Sequence, residues 1–351
     1  MPPDQLVLWA GLVIGLAFGI CGQISGFCLM SGLRGWWVTG DGRKVRAFAL
    51  ALAVAIVGSQ MLEAAGLVAF SSSIYVQPSF SLVLTVLGGA LFGFGMVMSN
   101  GCGARALVLL GNGNLRSFLV LVCLGIAAYI MLSGLLAPVR LALGQWLSVT
   151  PPGGGSTIGL LATAGLDPVL GRWLLVGILA AGLAAFCLLD PRFRTDPIAV
   201  GSGIVIGLLV PAGWYATGVL GADDFDPAPL VSLTFVAPIG DTLQYAMLST
   251  GTRLSFGVVV VIGIFVGSLL TALMTRRARL EGFTRARSML RYMGGGALMG
   301  TGGAMALGCS IGQGLTGLST LAVASFLAVV GILGGAALAL RGPLRLAPPE
   351  P

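Results

Sequence analysis

Six cysteines punctuate the chain, at positions 21, 28, 102, 123, 187 and 309, and three of them stand where an apolar, glycine-rich run breaks. Cys309 lies in "GGALMGTGGAMALGCSIGQGLTGLST", which begins at Gly295, and Cys102 in "GGALFGFGMVMSNGCGARALVLLGNG", which begins at Gly88. "SGFC", ending at Cys28, opens a third short stretch. A thiol placed so is a weak donor and a polarizable acceptor; as a thiolate it is a nucleophile. The six form no C-x-x-C pair, which argues against a thioredoxin-type redox centre. With no histidine in the chain, imidazole metal sites and histidine proton relays are removed, and neither metal nor cofactor is expected. The one lysine, Lys44, is followed by Val45, so there is no Walker A loop and ATP hydrolysis is not expected.

The residues around these breaks carry the rest of the candidate chemistry. At Gly101-Cys102 and Gly308-Cys309, glycine freedom would permit a sharp reversal into a half-helix. The first N–H groups of that half-helix and its positive dipole end favour an anion. Gly103, Ser310 and Gln313 belong to the same points. Gln313, like Gln244 with Tyr245, reads equally as a pore-lining donor or as a bond between helices. Arg105, three positions after Cys102, either steers an anion or marks an interface. Glu63, with Gln60 one turn away, either couples proton movement or pairs near the membrane edge, the second being the favoured reading. Cys123 and Cys187 sit mid-span with no glycine break and are assigned as small buried hydrophobes. Cys21, at the end of the first span, stays ambiguous.

Positioning these residues is the work of a membrane protein. Of 351 residues 56% are hydrophobic and only 9% charged, against about 25% charged in soluble domains. Runs able to cross a hydrocarbon core, about 20 residues each, fall near 5–22, 45–69, 82–100, 116–137, 172–190, 197–213, 254–275, 291–308 and 320–340. The first, Leu6 to Ile20, reads as a retained span rather than a cleaved leader. Four stretches between them, Gly26–Gly35, Gly101–Leu110, Gly213–Leu220 and Cys309–Leu318, are too short to span and too apolar for loops. They are expected to be re-entrant half-helices, since irregular backbone at membrane depth survives only where protein or a wet cavity satisfies it.

Two patterns set the plan. Shifting the Gly88 segment by 207 positions onto the Gly295 segment aligns nine identities without a gap, Cys102 falling on Cys309, which indicates an internal duplication. "GLVIGL" at Gly11 and "GIVIGL" at Gly203 mark the starts of the two copies, five crossings apart, and an odd number inverts the second. With nine spans, sixteen of the nineteen Lys and Arg, including Arg34, Arg43, Lys44, Arg46, Arg276 and Arg345, fall on one side, and only Arg140, Arg172 and Arg253 on the other. The positive-inside rule makes the first side cytoplasmic, the N-terminus external and the C-terminus internal. These charges report topology, not nucleic-acid binding. The expected fold is therefore all-α and polytopic, with about nine transmembrane helices plus half-helices in one domain over 1–351. Its two inverted halves, about 5–140 and 196–342, flank a linker and connecting helix at about 141–195.

The segments "GQISGFCLMSGLRG", "SNGCGARALVLLGNGNLRS", "GWYATGVLG", "SLTFVAPIGDTLQYAMLSTG" and "GGALMGTGGAMALGCSIGQGLTGLSTLA" resemble the YeeE/YedE family of bacterial inner-membrane sulfur transporters. The resemblance implies a transporter rather than an enzyme: an hourglass of inverted repeats through which thiosulfate is imported past successive cysteines. These fall on Cys309, Cys102 and Cys28. It also implies a TusA-like sulfur-carrier protein on the cytoplasmic face of the inner membrane. Tyr292 stands where many relatives would have histidine, so no histidine role carries over. Two alternatives remain: transport of a selenium compound or another sulfur-containing anion, and a membrane thiol–disulfide oxidoreductase, which would need a close dithiol. The charge split predicts that a reporter fused after Pro351 reports the cytoplasm and one inserted near Gly154 the exterior; both on one side would end the nine-span plan.

Overall fold

The computed structural model describes residues 3–222, 229–283, 285–344 and 346; Arg345 and Pro351 lie outside them. The chain folds as α1 (Pro3–Ser25), α2 (Leu29–Arg34), α3 (Arg43–Ala64), α4 (Leu82–Met98), α5 (Gly103–Gly111), α6 (Leu115–Leu132), α7 (Ala137–Trp146) and α8 (Thr157–Thr163). It continues through α9 (Pro168–Leu188), α10 (Pro191–Arg194), α11 (Pro197–Tyr215), α12 (Val236–Met247), α13 (Phe256–Met274), α14 (Ala286–Met305) and α15 (Val323–Leu340). Wide π-helical turns occupy Gly35–Thr39, Ala216–Leu220 and Gly312–Gly317. The protein is an all-α, multi-pass membrane protein. Among the described residues, eight helices are long and apolar enough to cross a bilayer.

The ninth expected span differs. α14 is helical for 20 residues, about 30 Å, but Arg287 and Arg291 and six glycines keep it less apolar than the eight. It packs against α4 and α6, two of those eight. Small residues bring backbones into direct contact throughout, as happens in bilayers where packing replaces the hydrophobic drive. α1 lies along α13, α4 along α15, and α11 along α3. A Cβ on Gly89 would stand 2.5 Å from the Ala328 carbonyl oxygen, and one on Gly267 2.5 Å from that of Leu16.

Five of the spans begin with a side-chain cap, whereas the two short helices next to the cysteines do not. Ser81, Asn114, Asp167, Asp196 and Ser255 cap α4, α6, α9, α11 and α13 by accepting from backbone N–H groups. α2 and α5 begin at Cys28 and Cys102, neither of which makes a side-chain cap bond. The break before Cys102 also differs from expectation. The left-handed residues are Asn100 (φ 60°) and Leu307 (φ 56°), one before each glycine, so the reversal does not depend on Gly101 or Gly308. These residues stand 207 positions apart, and so do the bonds that close the reversal, Gly101 N–H to Met96 O and Gly308 N–H to Gly303 O.

The stretch Gly213–Leu220 is not a half-helix. α11 runs unbroken into the turn Ala216–Leu220, because widening the hydrogen-bond ladder accommodates the glycines without ending the helix. In the 207 register the counterpart of α2 is α12: Leu29 and Val236 open the two helices, and Phe235 stands where Cys28 does.

The linker is docked rather than loose. Phe80–Ser81 and Ser148–Val149 form a two-residue antiparallel ladder, and Thr157 N–H and Val323 N–H exchange bonds with Leu321 O and Gly155 O. Cys187 donates to the Arg46 carbonyl at 3.1 Å, consistent with a structural thiol. Close packing makes a sharp prediction. Gly89→Val should cost about 1–3 kcal/mol or abolish folding, whereas Gly177→Val, with nothing within 4 Å of its Cβ, should be neutral; thermal melting in detergent compares them.

Candidate functional site

The three cysteines at the helix breaks come together. Cys28, Cys102 and Cys309 are all buried, at 3%, 2% and 1% exposure. The thiols of Cys28 and Cys102 are neighbours, and the Ser310 hydroxyl, buried and without a hydrogen-bond partner, lies beside Cys102 on the turn that carries Cys309. Cys309 Sγ accepts from the Gly312 N–H at 3.2 Å, and the N–H groups of Ile311 and Phe235 also point at it. Ser31 presents its N–H and hydroxyl to Cys28. Each sulfur thus sits at the start of a short helix, near backbone or hydroxyl donors.

The surrounding residues divide into supports and lining. Gln313 donates to the Ala306 carbonyl at 2.5 Å, tying the half-helix to the end of α14, while its Oε1 is buried without a protein partner. Ser325 Oγ is likewise buried and unpartnered. Gln60 donates to Ser319 O at 2.8 Å and Thr316 to Leu233 O at 2.6 Å, satisfying carbonyls that the broken helix leaves open. Gly103 is packed under Ile239, and Gly308 under Gln313. Gly101 lies against the Arg105 stem.

Two cavities each have a wall residue near one end of this thiol row. One, of 680 Å³, is lined by Asp4, Ser232, Thr234, Asp241, Arg253 and Phe256 among others. Its wall residue Thr234 reaches the Cys309 turn, for a Cβ on Gly312 would lie 2.7 Å from Thr234 Oγ1 and 3.4 Å from the Tyr75 hydroxyl. The other, of 130 Å³, is lined by Ser25, Phe27, Asp41, Arg43 and Lys44 among others. There Gly26, left-handed at φ 63°, leaves room for Lys44 Nζ and the Arg105 guanidinium, 3.4 and 3.9 Å from where its Cβ would stand. Arg105 also donates to the Gly22 carbonyl at 3.2 Å. Arg43 beside Asp41 holds that loop carboxyl down at about 2, so the rim keeps a fixed ion pair. A Lys–Arg pair beside Cys28 suits an anion arriving at or leaving that end.

Glu63 is paired with Arg172 at 3.5 Å, in keeping with the structural reading of it. Cys21 and Cys123 are half-buried and apart from the row. Gln244 lies against Tyr129, and Tyr292 packs edge-on against Phe283 with ring centroids 5.7 Å apart. Sequence reasoning missed Tyr75, Thr234, Ser31 and Ser325 as lining and gave Lys44 a topological role only. Thr234 was within reach, because the 207 shift sets it one residue before the counterpart of Cys28.

Buried thiols at the starts of half-helices, with a cavity near each end and a bundle of apolar helices around them, are the arrangement of a membrane transporter rather than an enzyme. The chain belongs to the sulphur transport family, whose sequence pattern it matches over residues 24–338. It is 28% identical to the thiosulfate transporter TsuA of Escherichia coli (strain K12), over 88% of this chain and 87% of that one. To the thiosulfate transporter TsuA of Spirochaeta thermophila it is 26% identical, over 92% and 95%. Resemblance to the probable transporter YedE of Escherichia coli (strain K12), 29% identical, is confined to 28% of this chain and 23% of that protein. The oxidoreductase alternative called for a close dithiol and a quinone site; Cys28 and Cys102 are neighbours, but the chain belongs to a family of transporters. The geometry of the pair is testable: mild oxidation should join Cys28 to Cys102 and leave Cys309 free, as read by mass mapping of alkylated peptides.

Proposed function

We propose that the protein imports thiosulfate across the bacterial inner membrane, passing it from Cys309 to Cys102 to Cys28. The observation that supports this most directly is the grouping of the three buried thiols, with one cavity near them at Thr234 and another at Lys44. The full-length likeness to two thiosulfate transporters supports the choice of anion. In this reading the two halves are inverted repeats, with the N-terminus external and the C-terminus cytoplasmic. The 680 Å³ cavity is then the outer vestibule and the Lys44 end the exit. A TusA-like carrier would receive the sulfur at that exit.

The chemistry follows from charge and desolvation. Thiosulfate is a dianion, and leaving it unpaired in a dry interior costs several kcal/mol or more. Backbone N–H groups of Ile311, Gly312 and Phe235, with weak S–H donors, offset that cost without a full positive charge. Passage needs binding strong enough for entry and weak enough for release. Thiols and helix ends meet that condition better than a buried arginine clamp would. The cationic groups, Arg105 and Lys44, stand at the exit, where they draw the anion on. The passage is by hydrogen bonding, with no persulfide formed.

Uptake of radiolabelled thiosulfate into proteoliposomes, against competing sulfur and selenium anions, tests the reading. Cys309→Ala should abolish or nearly abolish uptake, Cys102→Ala and Cys28→Ala should impair it, and Cys123→Ala and Cys187→Ala should stay near wild type. Cys309→Ser keeps the shape and improves the donor but removes sulfur's polarizability and nucleophilicity. A substantial residual rate supports the hydrogen-bonded passage. Failure at normal abundance would mean that sulfur itself reacts. Undiminished uptake by Cys309→Ala would sink the relay in either form.

A further inference from the structure

The register relating the two halves sets Arg34 of α2 against Asp241 of α12, since Leu29 and Val236 open those helices 207 positions apart. One half-helix therefore carries a cation where its counterpart carries an acid. Arg34 donates to Asn100 Oδ1 at 2.5 Å. Asp241 lines the 680 Å³ vestibule, and the Tyr129 hydroxyl of α6 donates to its Oδ1. The Gln244 side-chain amide lies 2.8 Å from the same hydroxyl. The contact is built into the packing: the Tyr129 ring fills the space above Gly240, and the α6 backbone at Gly125 closes on the same turn.

An acid at this place works against the transport reading on which the inference rests. A dianion entering the vestibule meets a carboxylate before it reaches Cys309, and like charges at the edge of a low-dielectric interior repel. Few other charges bear on it. α13 has no ionisable side chain, and neither has the end of α14 that meets α12 at Gly303. Tyr129 is the group that α6 turns toward it, Tyr245 shares its helix, and the vestibule adds Asp4 and Arg253. An ionisable residue so placed, hydrogen-bonded and lining an open cavity, is suited to changing its charge during passage.

We propose that Asp241 takes a proton from the outer solution when the anion enters, so that thiosulfate passes an uncharged mouth. The carboxyl returns the proton to the vestibule water once the anion has moved on to the thiols. No bond other than O–H is made or broken, and the proton count of the cycle closes on the outer side. Tyr129 is a positioning residue here: by donating to the carboxylate it favours the ionised form and keeps the mouth closed to anions until a proton arrives.

The test is initial thiosulfate uptake by proteoliposomes at fixed internal pH, with external pH varied from mildly acidic to mildly alkaline, a range in which thiosulfate stays a dianion. Wild-type uptake should rise as the outer solution is acidified. Asp241→Asn, which keeps a partner for Tyr129, should lose that dependence and run about tenfold above wild type at the alkaline end, the effect of one removed charge. Tyr129→Phe withdraws the donor, raises the carboxyl's affinity for protons, and should move the wild-type profile to higher pH, a shift that a merely structural role would not produce. An Asp241→Asn profile matching wild type overturns the proposal, and so does uptake that follows external sodium at fixed pH. Wild-type protein that neither takes up nor exchanges thiosulfate overturns the import reading and this inference together; transport with an unaltered variant profile overturns this inference alone.

Discussion

Backbone that stops halfway across a bilayer has no water to complete its hydrogen bonds, and each orphaned group costs several kcal/mol. Three short helical pieces in this protein, α2, α5 and Gly312–Gly317, impose that cost, and the surrounding structure answers it group by group. Their carbonyl ends are met by side chains and loops: Gln60 at Ser319, the linker at Leu321, and on the opposite half Arg279 N–H at the Asn112 carbonyl. A cysteine stands at each N–H end, and Cys309 Sγ accepts from the Gly312 N–H.

The glycine contacts serve the same end from a distance. Short helices hold no fixed position alone, being too brief to nucleate or to bury much surface. Here α5 is held against α1, α6 and α13, and α1 and α13 approach so closely that a Cβ on Gly263 would lie 2.8 Å from the Leu12 carbonyl oxygen. Such contacts have no room to slide. They convert weak local structure into thiols placed against each other and against fixed N–H groups, and a pathway of weak donors works only if its spacing does not drift.

Much of this was legible in residue order, and the misses have physical causes. The spans follow from apolar length, and the Cys102 and Cys309 breaks from the aligned glycine runs, which share the left-handed residue and the bond that closes the reversal. The cause assigned to the break was wrong: Asn100 and Leu307 take the left-handed turn, because the packed helices on either side determine the backbone there over local preference. Gly213–Leu220 has the composition of a break, yet a helix can widen a turn instead of ending, and composition does not distinguish the two. α14 fell short of the nine because arginines at its start and glycines along it lower its apolarity without preventing packing. Tyr75, Thr234 and Lys44 approach the thiols only through tertiary folding. Of these, periodicity and spacing offered a hint for Thr234 alone, through the repeat register.

The two halves also differ by one residue at depth. From Cys102 to the start of α6 at Leu115, and from Cys309 to the start of α15 at Val323, the path is the same except for a single extra position, and the second path contains the wide turn Gly312–Gly317. Matching bonds fix where it entered: Ala106 N–H to Cys102 O and Gln313 N–H to Cys309 O still keep the 207 spacing, while Asn112 N–H to Leu109 O and Thr320 N–H to Gly317 O are 208 apart. On a surface loop an inserted residue bulges into solvent and leaves little trace. Inside a bilayer it has nowhere to go, and the extra position coincides with an enlarged helical turn beside the Cys309 thiol. A difference of one residue between the two segments is thus expressed at the thiols rather than at a surface, and the second short helix cannot take the geometry of the first without losing a residue.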